Sequence, residues 1–234
     1  MFMGRAYNSC HSGRHAAGVR AGCRLARRAT RLGFRPVPRY GAPAALPRGP
    51  ALTRRVKGTL FVDYVRMLRM HKDVDWSTRL EPADLALLKT RIEPGAWYPM
   101  DSFERLGLAI LNVVAGGQLA LVHDFGRASV DWILLDEPRL LAQRDPRESL
   151  MRFHVLRQSF FDYPALEVRS LTDREACIVI DYQMGPVAEE AAAQQTLGFF
   201  ERLLEVAGAT AVTASFSRTR WGGAPQSVLE LRWR

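Results

Sequence analysis

The sequence predicts an α+β domain: a helical N-terminal half followed by a β-β-α-β-β antiparallel sheet packed on helices, behind a basic extension. Three observations carry this. From Val56 to Phe160 apolar residues recur three and four positions apart, the period of an amphipathic helix. After Pro164 the period shortens to two in several runs rich in β-branched residues, as a half-buried strand requires. Residues 1–55 hold twelve Arg and no Asp or Glu, so of the net charge of +9 the extension carries +12 and the rest 9 − 12 = −3. The division is thus residues 1–55, a basic Pro/Arg-rich stretch, and residues 56–234, one folded domain.

The elements follow in order. Val56 to Lys72 reads as a helix with Leu60, Tyr64, Met67 or Leu68, and His71 along one face. Pro82, at a first helical position, opens a second helix carrying Leu85, Leu88 and Ile92, which Pro94-Gly95 closes. Asp101 and Glu104 make a capping-box pattern ahead of Phe103, Leu106, Ile110 and Val113, and Gly116-Gly117 stops that helix. Gln118 to Leu135 is helical again, with Gly126 a point of interruption. Asp145-Pro146 caps and starts a helix reaching Phe160.

Leu166–Arg169 and Cys177–Ile180 form a hairpin around Thr172-Asp173-Arg174-Glu175. A helix from about Val187 to Ala207 buries Ala193, Leu197, Phe200 and Leu204 and ends at Gly208. Val212, Ala214 and Phe216, then Leu229, Leu231 and Trp233, alternate with polar residues and complete the sheet.

The extension admits three readings. Arg20, Arg24, Arg27 and Arg31 fall at helical spacing without acidic residues, as in an organelle transit peptide. The Pro and Gly clusters from Pro36 to Pro50 suit a disordered tail. A third reading places the true start at Val56, with the stretch before it translated from upstream sequence.

Several function classes are disfavoured. No run approaches the about 18 apolar residues of a membrane-spanning helix. The folded part carries no basic stripe to neutralise phosphates, so nucleic acid is not an expected partner. Cys10, Cys23 and Cys177 are too scattered for a zinc site or a disulfide framework. No Ser lies in a nucleophile elbow, and His71, His123 and His154 lack partners at metal spacing, so neither catalytic nor metal-binding residues are assigned. His123-Asp124 is a poor pair, because neighbours on a helix point about 100° apart.

Aromatic residues at element ends are the positive observation. Trp97, Tyr98, Trp132 and Trp221, with His123, are the candidates to edge an apolar pocket; Phe125 and Phe160-Phe161 share the pattern. The plainer reading is that such rings fill the core between helices and sheet.

Val56-Lys57-Gly58-Thr59-Leu60-Phe61, Trp97-Tyr98-Pro99-Met100 with Ser102-Phe103-Glu104-Arg105, and the closing Gly208-Ala209, Trp221-Gly222-Gly223 and Trp233 resemble an uncharacterised bacterial family best known from myxobacteria. That family lies in the superfamily of heme-nitric-oxide-binding, 4-vinyl-reductase-like and TRAPP-subunit domains, and the resemblance covers about Val56 to Arg234. It implies a non-enzymatic sensory or adaptor domain of the bacterial cytoplasm, binding a small hydrophobic ligand or a protein partner and compatible with a homodimer. The heme-binding branch uses an axial His with Tyr-x-Ser-x-Arg, which this sequence lacks, and the vinyl-reductase-like branch carries cysteines where this one has none. The resemblance therefore implies no cofactor and argues against heme.

Overall fold

The computed structural model of the protein describes residues 53–234; the expectations placed on residues 1–52 lie outside them. The first half is helical: α1 (Gly58–Met70), α2 (Pro82–Lys89), α3 (Met100–Ala109), α4 (Leu119–Asp136) and α5 (Pro146–Leu156). The second half is β3 (Leu166–Leu171), β4 (Glu175–Ile180), α6 (Pro186–Val206), β5 (Thr213–Arg218) and β6 (Ser227–Arg232). The four strands form one antiparallel sheet in the order β3-β4-β6-β5.

Register explains the sheet's buried side. Ile178 lies opposite Leu229 and Val168, and Ala176 opposite Leu231; Phe216 and Ala214 continue the row. Residues two apart share a face, so this set packs on the helices. Ile178, Leu229 and Leu231 are fully buried in one core with Phe61, Leu106 and Phe200.

Two short strands were not foreseen. Arg55–Lys57 (β1) pairs antiparallel with Trp97–Pro99 (β2), Val56 lying opposite Tyr98. Val56 and Lys57 are thus strand residues, and α1 begins at Gly58, where a Cβ would meet the carbonyl oxygen of Glu93 at 2.1 Å. Arg54 and Arg55, assigned above to the extension, make contacts within the domain. Arg54 donates to the carbonyls of Tyr182 and Gln183, and Arg55 pairs with Asp162 at 2.7 Å.

Other differences have local causes. α2 stops at Lys89, ahead of Pro94, leaving Ile92 buried in the connection that follows. The Asp101/Glu104 capping box does not form, because Asp101 faces Arg54 and Glu104 accepts the backbone N–H of Gly185. α3 runs into a π-helical turn, Ile110–Val114, and the chain turns by 117° into α4 through Gly116 and Gly117, both at positive φ. α5 ends at Leu156, followed by a 3₁₀ turn. Its start is as read: the Asp145 carboxylate accepts the N–H of Glu148 at 2.8 Å. Among the described residues no single helix is long and apolar enough to cross a membrane.

A cavity beside the sixth helix as candidate functional site

α6 presents two different faces to the helical half. Toward α4 the contact is at its closest. A Cβ on Gly126 would lie 1.8 Å from the carbonyl oxygen of Gln195, and one on Gly198 would lie 2.1 Å from that of His123. Gly126 therefore does not interrupt α4; the missing side chain lets two backbones touch. The polar edge of the crossing is an ion cluster: His123 Nε2 lies 2.8 Å from Glu201, and Arg127 donates to Glu205 at 2.6 Å. Arg127 and Glu205 hold each other charged, its hydrogen bond raising the guanidinium pKa and lowering that of the carboxyl.

The other face of α6 leaves a cavity of about 90 Å³. α1 contributes Leu60, Asp63 and Tyr64, α3 Phe103, and α4 Ser129 and Ile133. Phe153 of α5, then Phe160, Phe161 and Leu166, form the opposite wall. Tyr182 and, from α6, Ala192, Gln195, Thr196 and Phe199 complete it. The walls are aromatic and aliphatic with polar groups converging on α6, the composition of a small-molecule site.

The polar groups are fixed in place. The Tyr64 ring stacks on Phe103 at a centroid separation of 4.2 Å, and its hydroxyl donates to Gln195 Oε1 at 2.5 Å. Tyr182 OH lies 2.6 Å from Thr196 Oγ1. Burial pushes both phenols well above their usual value of 10.0. The segment holding Tyr182 is anchored by the buried Glu189, whose carboxylate accepts the N–H groups of Tyr182 and Met184 at 2.9 Å each. Burial raises the Glu189 pKa above 4.5, an effect that those backbone bonds and Arg220 oppose. Asp63 is also raised by burial, although Arg66 stands 3.4 Å away.

The residues singled out from the sequence do not meet here. Trp97 sits in the small β1–β2 sheet, its ring 4.5 Å from Lys57 Nζ. Tyr98 stacks on Phe61 and accepts the N–H of Glu93. His123 belongs to the α4–α6 cluster, with Glu201 rather than Asp124 as its short contact. Trp132 is 53% exposed, with Arg66 over its ring, beside a separate groove of about 110 Å³ that shares only Asp63 and Ile133 with the cavity. Trp221 packs edge-on against Phe216 at the turn between β5 and β6. Rings at element ends thus serve the surface and the loop entries, while Phe160-Phe161 alone of the noted aromatics reach the cavity. The sequence signal for the site was α6 itself. Ala192, Gln195, Thr196 and Phe199 share one helical face, and two polar residues interrupt an otherwise apolar stripe.

Heme, which the resemblance brings into question, does not fit this arrangement. The cavity is far smaller than the several hundred Å³, about 300 or more, of a drug-sized site. No His, Cys or Met lines it, and the two phenols that do are held protonated, against the phenolate an axial tyrosine supplies. His154 follows the lining residue Phe153 on α5, but it is not part of the wall; its Nδ1 is buried without a partner. Among the described residues no group of three or more His, Cys, Asp or Glu is placed to hold a metal ion.

No family model and no curated protein matches the chain. Solved structures do. An unliganded Fe(II) H-NOX protein from K. algicida superposes with a TM-score of 0.54 at 14% identity, over 76% of this chain and 96% of that one. An H-NOX protein from S. oneidensis in the Fe(II)NO state gives 0.53 at 10% identity, covering 76% and 99%. An oxygen-binding H-NOX domain related to soluble guanylate cyclases gives 0.50 at 14%, covering 76% and 95%. At these identities the likeness is one of architecture and reaches no single bacterial family. The described chain has the fold of an H-NOX domain.

Proposed function

We propose that the protein is a non-enzymatic, ligand-binding sensory domain that takes a small hydrophobic molecule in the cavity beside α6, at a place where its residues do not admit heme. The observation that carries this is a void on one face of a helix whose other face is packed to backbone contact. Native interiors leave few gaps larger than a water molecule, so a lined cavity of this size offers room for an occupant. The solved H-NOX structures, one described as oxygen-binding, lend the reading a sensory setting. Signalling in a bacterial cytoplasm is the context that the sequence resemblance implies.

A thermal-shift series with small apolar molecules tests it. A ligand at ten times its Kd adds about 1.4 kcal/mol to stability, a rise in Tm of about 3 °C. The rise should vanish in Ala192→Leu, which fills the space. Hemin should give neither a rise nor a sharp Soret band. Absence of any shift across the series would remove the reading.

A second reading has its own observation. Trp132 and Leu135, 53% and 73% exposed, stand together at the end of α4 and suit a docking face for a second copy or another protein. Under that reading Trp132→Glu changes the sedimentation coefficient while leaving ligand-induced shifts intact.

A further inference from the structure

The hydrogen-bond donors that the cavity can offer a ligand are few, which narrows what it can hold. Each hydroxyl hydrogen in the wall is already committed to a protein acceptor. Ser129 donates to the carbonyl of Gly126 at 2.7 Å, and Thr196 to that of Ala192 at 2.9 Å. Because the Thr196 hydrogen is so engaged, the Tyr182 hydroxyl is the donor in the 2.6 Å contact between them. Tyr64 donates to Gln195 Oε1.

What remains is the nitrogen of the same amide. Gln195 Nε2 carries two N–H donors with no partner among the described residues, and the residue lines the cavity. The atom is not sealed in the core: among the described residues, the buried side-chain polar atom without a partner is His154 Nδ1. Its position is held from both sides. The Gln195 backbone carbonyl is pressed against Gly126 of α4, while its side-chain oxygen is gripped by Tyr64 of α1. An N–H met by water alone is a donor that a ligand acceptor can take over, whereas hydroxyl oxygens with one bond made tolerate a spare lone pair. Most of the cavity wall is apolar, and its one carboxylate, Asp63, repels anions.

We propose that the cavity selects a small, neutral, apolar molecule carrying one hydrogen-bond acceptor oxygen, a ketone or ether type, which accepts from the amide N–H of Gln195. This rests on the ligand-binding reading above and adds the chemical class. Water can meet the same donor, but a ligand replaces that bond and also buries apolar surface.

A pair matched in ring and shape tests the class separately from the cavity: cyclobutanone and methylenecyclobutane, of which only the first carries an acceptor oxygen. Dissociation constants by ligand-observed NMR are compared in the full chain and in Gln195→Met. The cyclobutanone Kd should rise about five-fold in the variant, and that of methylenecyclobutane should stay within about two-fold. Should Gln195→Met fail to fold, Gln195→Glu at neutral pH removes the N–H donors while keeping an acceptor for Tyr64, and the same divergence is expected. If both ligands bind and the variant changes them alike or not at all, the acceptor class is overturned while the cavity reading stands. If neither binds the wild-type chain, both are overturned.

Discussion

The two faces of α6 obey opposite packing rules within a few residues of each other. Toward α4, glycines at 126 and 198 bring backbones to the limit of approach and an ion cluster seals the edge. One turn of helix away, Ala192, Gln195 and Thr196 front a space of about 90 Å³ between large aromatic rings. A helix that is free to settle closes such a gap. Here it is held off by its own tight crossing on α4, by Glu189 anchoring the segment before it, and by the Tyr64–Gln195 bond across the space. The contrast teaches that the cavity is set by rigid neighbours rather than by loose packing.

Substitutions separate the two faces, beginning with the largest expected effect. Gly126→Ala places a methyl group where only backbone fits and should destabilise by about 3 kcal/mol in urea unfolding, as should Gly198→Ala. A loss below about 1 kcal/mol would mean that the crossing can relax, and the contrast would weaken. On the open face, Ala192→Leu should stabilise by about 1 kcal/mol, since it fills space instead of creating a clash. A destabilisation as large as that of Gly126→Ala would show that no usable space exists.

Glu189 supplies a pH test of the anchor. Its folded pKa lies above 4.5, so the folded state binds more protons just above that value. The stability it contributes is therefore present below pH 4.5 and lost as pH rises through the folded pKa. Relative to Glu189→Gln, whose side chain does not titrate, the wild type should lose stability from pH 4.5 toward neutrality. Parallel urea curves measure the difference, and a constant gap would contradict the burial effect. Smallest of all, His123→Ala removes a part-exposed contact with Glu201 and should cost about 0.5 kcal/mol.

Local chemistry was legible in the sequence wherever one residue type had one job. The Asp145-Pro146 start, the hairpin around Thr172–Glu175 and the face of α6 that buries Ala193, Leu197, Phe200 and Leu204 are all present. What failed depended on partners far along the chain. β1 and β2 are three residues each and exist only by pairing across some forty positions of sequence, so neither shows a period. The Asp101/Glu104 box has the right spacing, but Arg54 and Gly185 compete for the two carboxylates. Gly126 read as a helix breaker because its function lies in another helix.

The candidate site was less legible. Trp97, Tyr98, Trp132 and Trp221 were conspicuous as large rings at element ends, yet each is engaged by a local cation, ring or backbone group. The cavity is framed instead by Tyr64, Phe153 and Tyr182, each indistinguishable by sequence from an ordinary core residue. A void leaves no mark in periodicity; only the polar pair Gln195-Thr196 on a buried face hinted at it.

Xenon tests the central claim without presuming any ligand chemistry, because it enters apolar cavities through size and polarisability alone. Xenon-pressurised crystals of the full chain should show the atom between Phe153, Tyr182 and Gln195, and those of Ala192→Leu should not. A wild-type crystal with no xenon at that position, or the same occupancy in Ala192→Leu, would contradict the account.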